Sequence, residues 1–470
     1  MIVKTGDRIN DTIVALATPR GRSGIAVIRV SGDKAFQIVR NIAPFLPDLP
    51  ESHRVYFGTI KDNERLIDEC LVLYFKPGRS FTHQEVLEIH CHGNPLIIDL
   101  IVEKLIELGA RSADPGEFSY RAFMSGRIDL VQAESILNLI ETDNARAQEQ
   151  AIRHLKGGLS RRLESSEKGL TYCLAQIEAS IDFSTENLEI ISRSELNRRI
   201  LGVKQDLEEL VKSYRAGRKL VEGVEVALFG RPNVGKSSLF NAILGKDRSI
   251  VSEIAGTTRD LVDGEFVLKG INFRFVDTAG LHETQDTVEK IGVSRAKEAY
   301  SKASVKAFVF DLNLGVTQED LEILKTIPAG ELFLIGTKAD LVNDIEGALA
   351  RARSAIISGL QKEPNKIWQV IAASSLSLKG IEDIKTHLLK TVEFDIMGHD
   401  NFLLRARHFE HLSHGIRSLE TVLEELNNGV GFEFISVGLK ECLLRLQSVL
   451  GKRYEDQIVD QIFKEFCLGK

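Results

Sequence analysis

The stretch Val224-Glu225-Val226-Ala227-Leu228-Phe229-Gly230-Arg231-Pro232-Asn233-Val234-Gly235-Lys236-Ser237-Ser238 concentrates chemistry near the middle of the chain. An apolar, β-branched run ends at Gly230, and Gly235-Lys236-Ser237 then opens a run of helix formers, which predicts a strand, a phosphate loop and a helix. Glycines let the backbone curl so that successive N–H groups point inward at phosphate oxygens, and the helix N-terminus adds its partial positive charge. Asn233, Val234, Gly235, Lys236, Ser237 and Ser238 would line the phosphates, with Lys236 reaching the β/γ-phosphates and Ser237 ligating Mg²⁺. A tight strand-to-helix connection is the bland alternative. Three later stretches weigh against it.

Asp277-Thr278-Ala279-Gly280 follows the alternating segment Phe273-Arg274-Phe275-Val276, placing a carboxylate at a strand end where it can hold Mg²⁺ through water. Thr337-Lys338-Ala339-Asp340 follows the apolar strand Leu332-Phe333-Leu334-Ile335. There Asp340 can accept from the N1–H and 2-amino group of guanine; adenine lacks those donors, so the pocket selects GTP. Between these stretches, Gly256-Thr257-Thr258-Arg259-Asp260 is expected to close over the γ-phosphate, with Thr258 as a second Mg²⁺ ligand. Ser374-Ser375-Leu376, after another strand, takes the place of the loop that backs the base. In order and spacing the set resembles the translation-factor-like GTPases. Thr337 departs from the pattern, which more often has Asn there, so side-chain support of the phosphate loop is expected to be weaker.

The elements that position these residues follow from length and pattern. A chain of 470 residues predicts about three domains of ~150 residues. Hydrophobic and charged contents of 43% and 27% describe an ordinary core-forming chain. The net charge of −7 gives no global footprint for nucleic acid, so RNA contact needs a local patch or a partner. Cys70, Cys91, Cys173, Cys442 and Cys467 are odd in number and lack C-x-x-C spacing, which reads as cytosolic thiols. The N-terminus has no apolar signal core, and the stretch from Pro95 to Leu108 is broken by Asp99 and Glu103. A cytoplasmic protein without membrane attachment is expected.

From Thr12 to Gly93, short strand-like segments are interrupted by helical patterns at Asp33 to Ala43 and Leu96 to Gly109, a small α+β domain. Long helical periodicity then begins, with Leu130, Ala133, Ile136, Leu137 and Ile140 on one face and Leu196, Ile200, Val203, Leu207, Leu210 and Tyr214 on another. A strand–helix alternation suited to a doubly wound sheet runs to about Thr391, after which Phe409, Leu412, Ile416, Leu419, Leu423 and Leu426 restore the helical spacing. One helical domain built from both blocks, with the nucleotide domain inserted, is the economical reading; two separate small bundles are the alternative. The expected boundaries are 1–117 for the α+β domain, 118–217 and 392–470 for the helical parts, and 218–391 for the nucleotide domain.

This arrangement, with Ala113-Asp114-Pro115-Gly116-Glu117-Phe118, Arg121-Ala122-Phe123, Asp129-Leu130-Val131-Gln132-Ala133-Glu134 and the terminal Cys467-Leu468-Gly469-Lys470, resembles the tRNA wobble-uridine modification GTPases, the MnmE or TrmE family. The resemblance covers essentially the whole chain and implies a homodimeric, K⁺-activated GTP phosphohydrolase. With a flavin-dependent partner that carries FAD, in a heterotetramer or larger assembly, it would install a (carboxymethyl)aminomethyl group on C5 of the tRNA wobble uridine. The one-carbon carrier would be 5,10-methylene- or 5-formyl-tetrahydrofolate, bound by Arg29, Glu88, Arg127 and Lys470. A carboxylate such as Glu88 suits pterin N–H donors, and basic groups suit the glutamate tail. Cys467 would be an essential thiol.

For hydrolysis, Leu281 stands where many GTPases place a glutamine, and leucine cannot hold water. The resemblance implies instead that Glu289 orients the attacking water, and that Asn233 with Ser252, Ile254 and Thr257 coordinates K⁺ in the charge-stabilising position. His282 replaces an arginine common in the family, and His83-Gln84 stands where Gly-Glu is usual. His90-Cys91-His92 puts two histidines on one strand face, but without a third ligand it reads as structural. A ribosome-assembly GTPase switch is the competing function; it calls for a basic Gly-x-x-Gly RNA-binding tail that this sequence lacks.

Overall fold

The computed structural model describes residues 10–142, 144–182, 191–245, 264–277, 303–326, 332–360, 367–396, 402–454 and 456–470. They form two compact units: Met1–Glu141 with Ala151–Glu208 and Glu410–Lys470, and Thr142–Gln150 with Glu209–Phe409. The second unit therefore interrupts the chain of the first.

In the first unit, a six-stranded sheet runs in the order β3(Arg54–Asp62), β4(Arg65–Phe75), β5(Val86–Gly93), β2(Ser23–Ser31), β1(Ile13–Leu16), β6(Arg111–Ser112). All pairs are antiparallel except β1 with β6. Alternation drives the layering: Val14, Ile28, Val30, Leu87 and Ile89 point to one face and pack on Ile38, Ile42, Ile98, Ile101 and Leu105 of the helices Ala35–Ile42 and Pro95–Glu107. Each such buried aliphatic contributes roughly 1.5–3 kcal/mol before entropy is counted. Asn94 caps the second helix by accepting from Leu96 N at 2.9 Å, with Pro95 at the first helical position.

The opposite sheet face carries Arg29, Glu88 and His90, and beside them the exposed apolar residues Val55, Phe57 and Leu71. β4 begins at Arg65, with Arg65, Leu66, Asp68 and Glu69 paired across the ladder with Asp62, Lys61, Ile60 and Thr59.

Both helical blocks contribute to the first unit, where the helix Gly158–Asp182 packs along Phe432–Leu450. Leu196, Ile200 and Leu207 are buried as the spacing predicts, as are Leu412, Leu419 and Leu426. Two positions differ. Val422 rather than Leu423 points fully inward, and Ile140 is exposed at the end of its helix. No helix among the described residues is long and apolar enough to cross a membrane.

The second unit is a doubly wound α/β sheet of order β12(Ile367–Ala372), β11(Leu332–Thr337), β10(Val305–Asp311), β7(Val224–Phe229), β9(Ile271–Asp277), β8(Gly264–Leu268). Only β8 is antiparallel to its neighbour. Separate apolar clusters cover its two faces, and β10 is buried along its whole length, as a central parallel strand must be. The carboxyl ends of β7, β9, β10, β11 and β12 share one edge, where ligands bind in such sheets.

Candidate functional site

β7 delivers the chain to Gly230, whose φ of 149° brings its backbone against β10: a Cβ there would lie 2.0 Å from the carbonyl oxygen of Val309. Asn233 (φ 61°) and Gly235 (φ 97°) continue the curl into the helix Lys236–Leu244. Backbone of this kind gathers N–H groups on one concave side, and the helix terminus reinforces it. Lys236 is buried, and its Nζ donates to the carbonyls of Gly230 and Arg231 at 2.9 and 2.8 Å, so the amine lies across the loop. Ser237 and Ser238 are exposed on the same turn.

Two side chains from neighbouring elements hold the loop. Thr337, at the end of β11, donates its hydroxyl to the Val234 carbonyl and lies 2.9 Å from the Phe310 carbonyl. Arg231 Nε donates to Asp320 Oδ1 at 2.8 Å, a contact that raises the guanidinium above its ordinary pKa. Asp320 is completely buried, and its other oxygen accepts from the Thr317 amide and hydroxyl at 3.0 and 2.9 Å. The expected weakness at Thr337 is thus met by a hydroxyl contact in place of an amide.

The loop after β11, Thr337 to Asp340, is stitched to the one after β12 by backbone. Ala339 N donates to Ala373 O at 3.1 Å and Ala373 N to Gly336 O at 2.8 Å. Lys338 Nζ pairs with Asp311 Oδ2 at 2.7 Å. Asp340 is exposed, Ser374 is buried with its hydroxyl accepting from Ser377 N, and Ser375 and Leu376 follow at the surface. Asp277 ends β9 in register with Leu228. Thr278, Ala279 and Gly280, the residues Ser252, Ile254, Gly256, Thr257 and Thr258, and Leu281, His282 and Glu289 lie outside the described residues.

A second site lies on the open face of the first unit's sheet. Arg29 and Glu88 are cross-strand partners, and Arg29 Nε and a terminal nitrogen reach Glu88 Oε1 at 2.9 and 2.8 Å. The Arg29 guanidinium also donates to the Gly469 carbonyl at 3.2 Å and stacks over Phe118, 5.6 Å from the ring centre. The terminal segment is fixed by Lys470 O accepting from Phe118 N at 3.1 Å. Gly469, with φ 85°, passes so close to β1 that a Cβ would stand 2.3 Å from Leu16 O. Arg29, Glu88 and the Gly469-Lys470 backbone therefore come together, whereas Arg127 is exposed on the turn after the helix Glu117–Met124. Cys467 is exposed; Cys70, Cys91, Cys173 and Cys442 are buried.

The motif residues Glu117 and Arg121 turn out to be a buried framework beneath this site. Glu117 accepts from Arg111 at 2.7 and 3.0 Å, from Arg121 at 2.9 Å and from the Asp114 amide at 2.9 Å. Burial alone would push Glu117 up, but these donors outweigh it and hold the carboxyl below its usual range. Arg121 further donates to Asp11 O and Gln84 Oε1 at 2.6 and 2.9 Å, which gives the Gln84 departure a place: a neutral acceptor beside an arginine already paired with Glu117.

Comparison with known proteins adds the following. A model of the MnmE helical domain matches residues 130–467, and one described as GTP-binding protein TrmE N-terminus matches residues 12–127. The chain is 43% identical over 475 residues to the tRNA modification GTPase MnmE of Bdellovibrio bacteriovorus, covering 99% of both chains. It is 36% identical over 466 residues to that of Cytophaga hutchinsonii, covering 98% of each. With that of Christiangramia forsetii the identity is 35% over 477 residues, covering 98% of this chain and 100% of the relative.

Proposed function

Because the chain belongs to the MnmE family of tRNA modification GTPases, we propose that it is a K⁺-activated GTPase that works as a homodimer with a flavin-dependent partner to modify C5 of the wobble uridine of tRNA in the cytoplasm. The observation that carries the nucleotide half is the loop at Gly230 to Lys236, clasped by Thr337 and Arg231 at the carboxyl edge of a parallel sheet.

In this reading the loop amides and Lys236 neutralise phosphate charge, Asp340 selects guanine, and Ser237 and Thr258 hold Mg²⁺ with Asp277 behind it. Asn233, Ser252, Ile254 and Thr257 hold K⁺; the exposed, left-handed Asn233 supports this. Glu289 orients the attacking water, which needs no arginine from outside. Exposed Val55, Phe57 and Leu71 on the open sheet face support pairing of two copies through the first unit.

The one-carbon half rests on Arg29, Glu88, Arg127 and Lys470. When bound, tetrahydrofolate would supply the one-carbon unit. The residues present fit it: Arg29 occupies Glu88 Oε1, and Oε2 remains directed toward His90, where an acceptor for pterin N–H groups is required. Exposed Cys467 lies two residues from the Gly469 carbonyl that meets Arg29, which supports a role near this site.

Mass spectrometry of tRNA from cells lacking this protein tests the proposal: wobble-uridine modification should disappear and return with the wild-type chain. Intact modification would reject it. GTP turnover in KCl against NaCl at equal ionic strength tests the cation, with faster hydrolysis in K⁺ expected and its loss in Asn233→Ala.

A further inference from the structure

Resting on the one-carbon carrier reading, we propose that His90 is an additional ligand-binding residue of the Arg29–Glu88 site and recognises the 4-oxo edge of the pterin. Glu88 and His90 alternate on β5, so both project from the open face of the sheet. Arg29 engages Glu88 through Oε1 only, and Oε2 stands 3.7 Å from His90 Nε2, beyond hydrogen-bond reach.

His90 Nε2 is screened from solvent and has no hydrogen-bond partner, although the side chain keeps 26% of its surface exposed. A buried polar nitrogen left unpaired is costly, and such atoms in folded proteins call for a specific account. A ligand that brings the missing partner is that account.

The chemistry of the pair narrows the ligand. A carboxylate oxygen accepts only, and an imidazole nitrogen carrying hydrogen donates, so side by side they match a ring N–H next to a ring carbonyl. That is a cyclic lactam edge. The pterin of a folate offers it as N3–H and the 4-oxo group: N3–H donates to Glu88 Oε2, and the 4-oxo oxygen accepts from His90 Nε2. Uracil presents the same edge, and the test must separate the two.

Calorimetric titration of the full-length protein with 5-formyltetrahydrofolate and with its 4-amino-4-deoxy counterpart provides that test. The counterpart replaces the carbonyl acceptor by an amino donor and leaves N3 without its hydrogen, so it alters the Glu88 contact as well as the His90 contact. Wild type should prefer the 4-oxo ligand; His90→Ala should weaken it about tenfold while leaving the 4-amino ligand within about twofold, so that the preference narrows by about that factor and Glu88 keeps the remainder. His90→Gln, which keeps an N–H donor at similar reach, should recover most of the preference. Equal weakening of both ligands in His90→Ala, or unchanged affinity for both, would overturn the role. Failure of wild type to bind 5-formyltetrahydrofolate at all would instead overturn the carrier reading on which the role depends. Tighter binding of uridine than of the folate, lost in His90→Ala, would assign the edge to a base and reject the pterin.

Discussion

Thr337 donates its side-chain hydroxyl to the main-chain oxygen of Val234, tying the end of β11 to the Gly230–Lys236 loop. The Thr337 hydroxyl oxygen is also 2.9 Å from the Phe310 carbonyl oxygen, yet a hydroxyl has one proton and can satisfy one acceptor at a time. Thr337→Val removes that one proton and leaves the Val234 carbonyl without its side-chain donor, at roughly 1–3 kcal/mol. GDP affinity, read with a fluorescent nucleotide, should fall by about tenfold. Thr337→Asn offers two N–H groups to two carbonyls and should bind at least as tightly as wild type. Equal affinities in all three proteins would show that the clasp does not set the loop's geometry.

Asp340 is exposed on a loop whose backbone is anchored to Ala373, so its position does not depend on its own side chain. Asp340→Asn should fold normally and exchange two acceptors for one acceptor and one donor. The guanine 2-amino group then loses its partner, while the 2-oxo group of xanthine gains one. GTP binding should drop by about a hundredfold and xanthosine triphosphate should become the better ligand. Retained preference for GTP would move base recognition to another residue.

Glu117 sits 4% exposed between Arg111 and Arg121, and its carboxyl is held below the ordinary range despite burial. A depressed folded pKa means stability that is present above the unfolded value of about 4.3 and is lost as pH falls through the folded value. Glu117→Gln takes the carboxylate charge from beside the buried Arg121 and from beside Arg111, which keeps its contact with Asp11, and should cost about 3 kcal/mol in unfolding of the first unit at pH 7. The gap between variant and wild type should begin to narrow as pH falls below about 4.3, where the unfolded chain takes up a proton that the folded carboxylate does not. A gap independent of pH would assign the loss to packing.

How much of this was legible in the sequence depended on whether the signal was local. Gly230, Gly235 and Lys236 announce the phosphate loop because glycine and a following helix leave few alternatives, and the buried Leu196, Ile200, Leu412 and Leu419 follow a spacing that only a packed helix explains. Arg29 and Glu88 became a pair only when β2 and β5 aligned in register, and the Gly469 carbonyl reaches Arg29 from the far end of the chain. No window of sequence contains those contacts. Glu117 and Arg121 entered the sequence reading only as motif residues of the family resemblance; burial shows that they pair with each other inside the first unit. The Arg231–Asp320 contact was missed for the same reason, although an arginine inside a phosphate loop with no phosphate role assigned to it was a usable hint.

The thiols separate sharply by environment. Burial pushes Cys70 and Cys442 up to about 12 and Cys91 to about 11, with neighbouring Asp68 adding to the rise at Cys70 and Cys91 and Glu441 at Cys442. Cys173 is raised as well, chiefly by burial. The thiolate is the reacting species, so these four should resist alkylation in the folded protein, whereas Cys467 is exposed in the terminal turn. Brief iodoacetamide treatment at pH 8 followed by intact-mass measurement should therefore show a single adduct, and peptide mapping should place it on Cys467. Cys467→Ser should show none, and unfolding in urea should open the other four. A second adduct in the native wild type would mean that one of the buried sulfurs reaches solvent through local opening, and the first unit's core would then be far less stable than its packing implies.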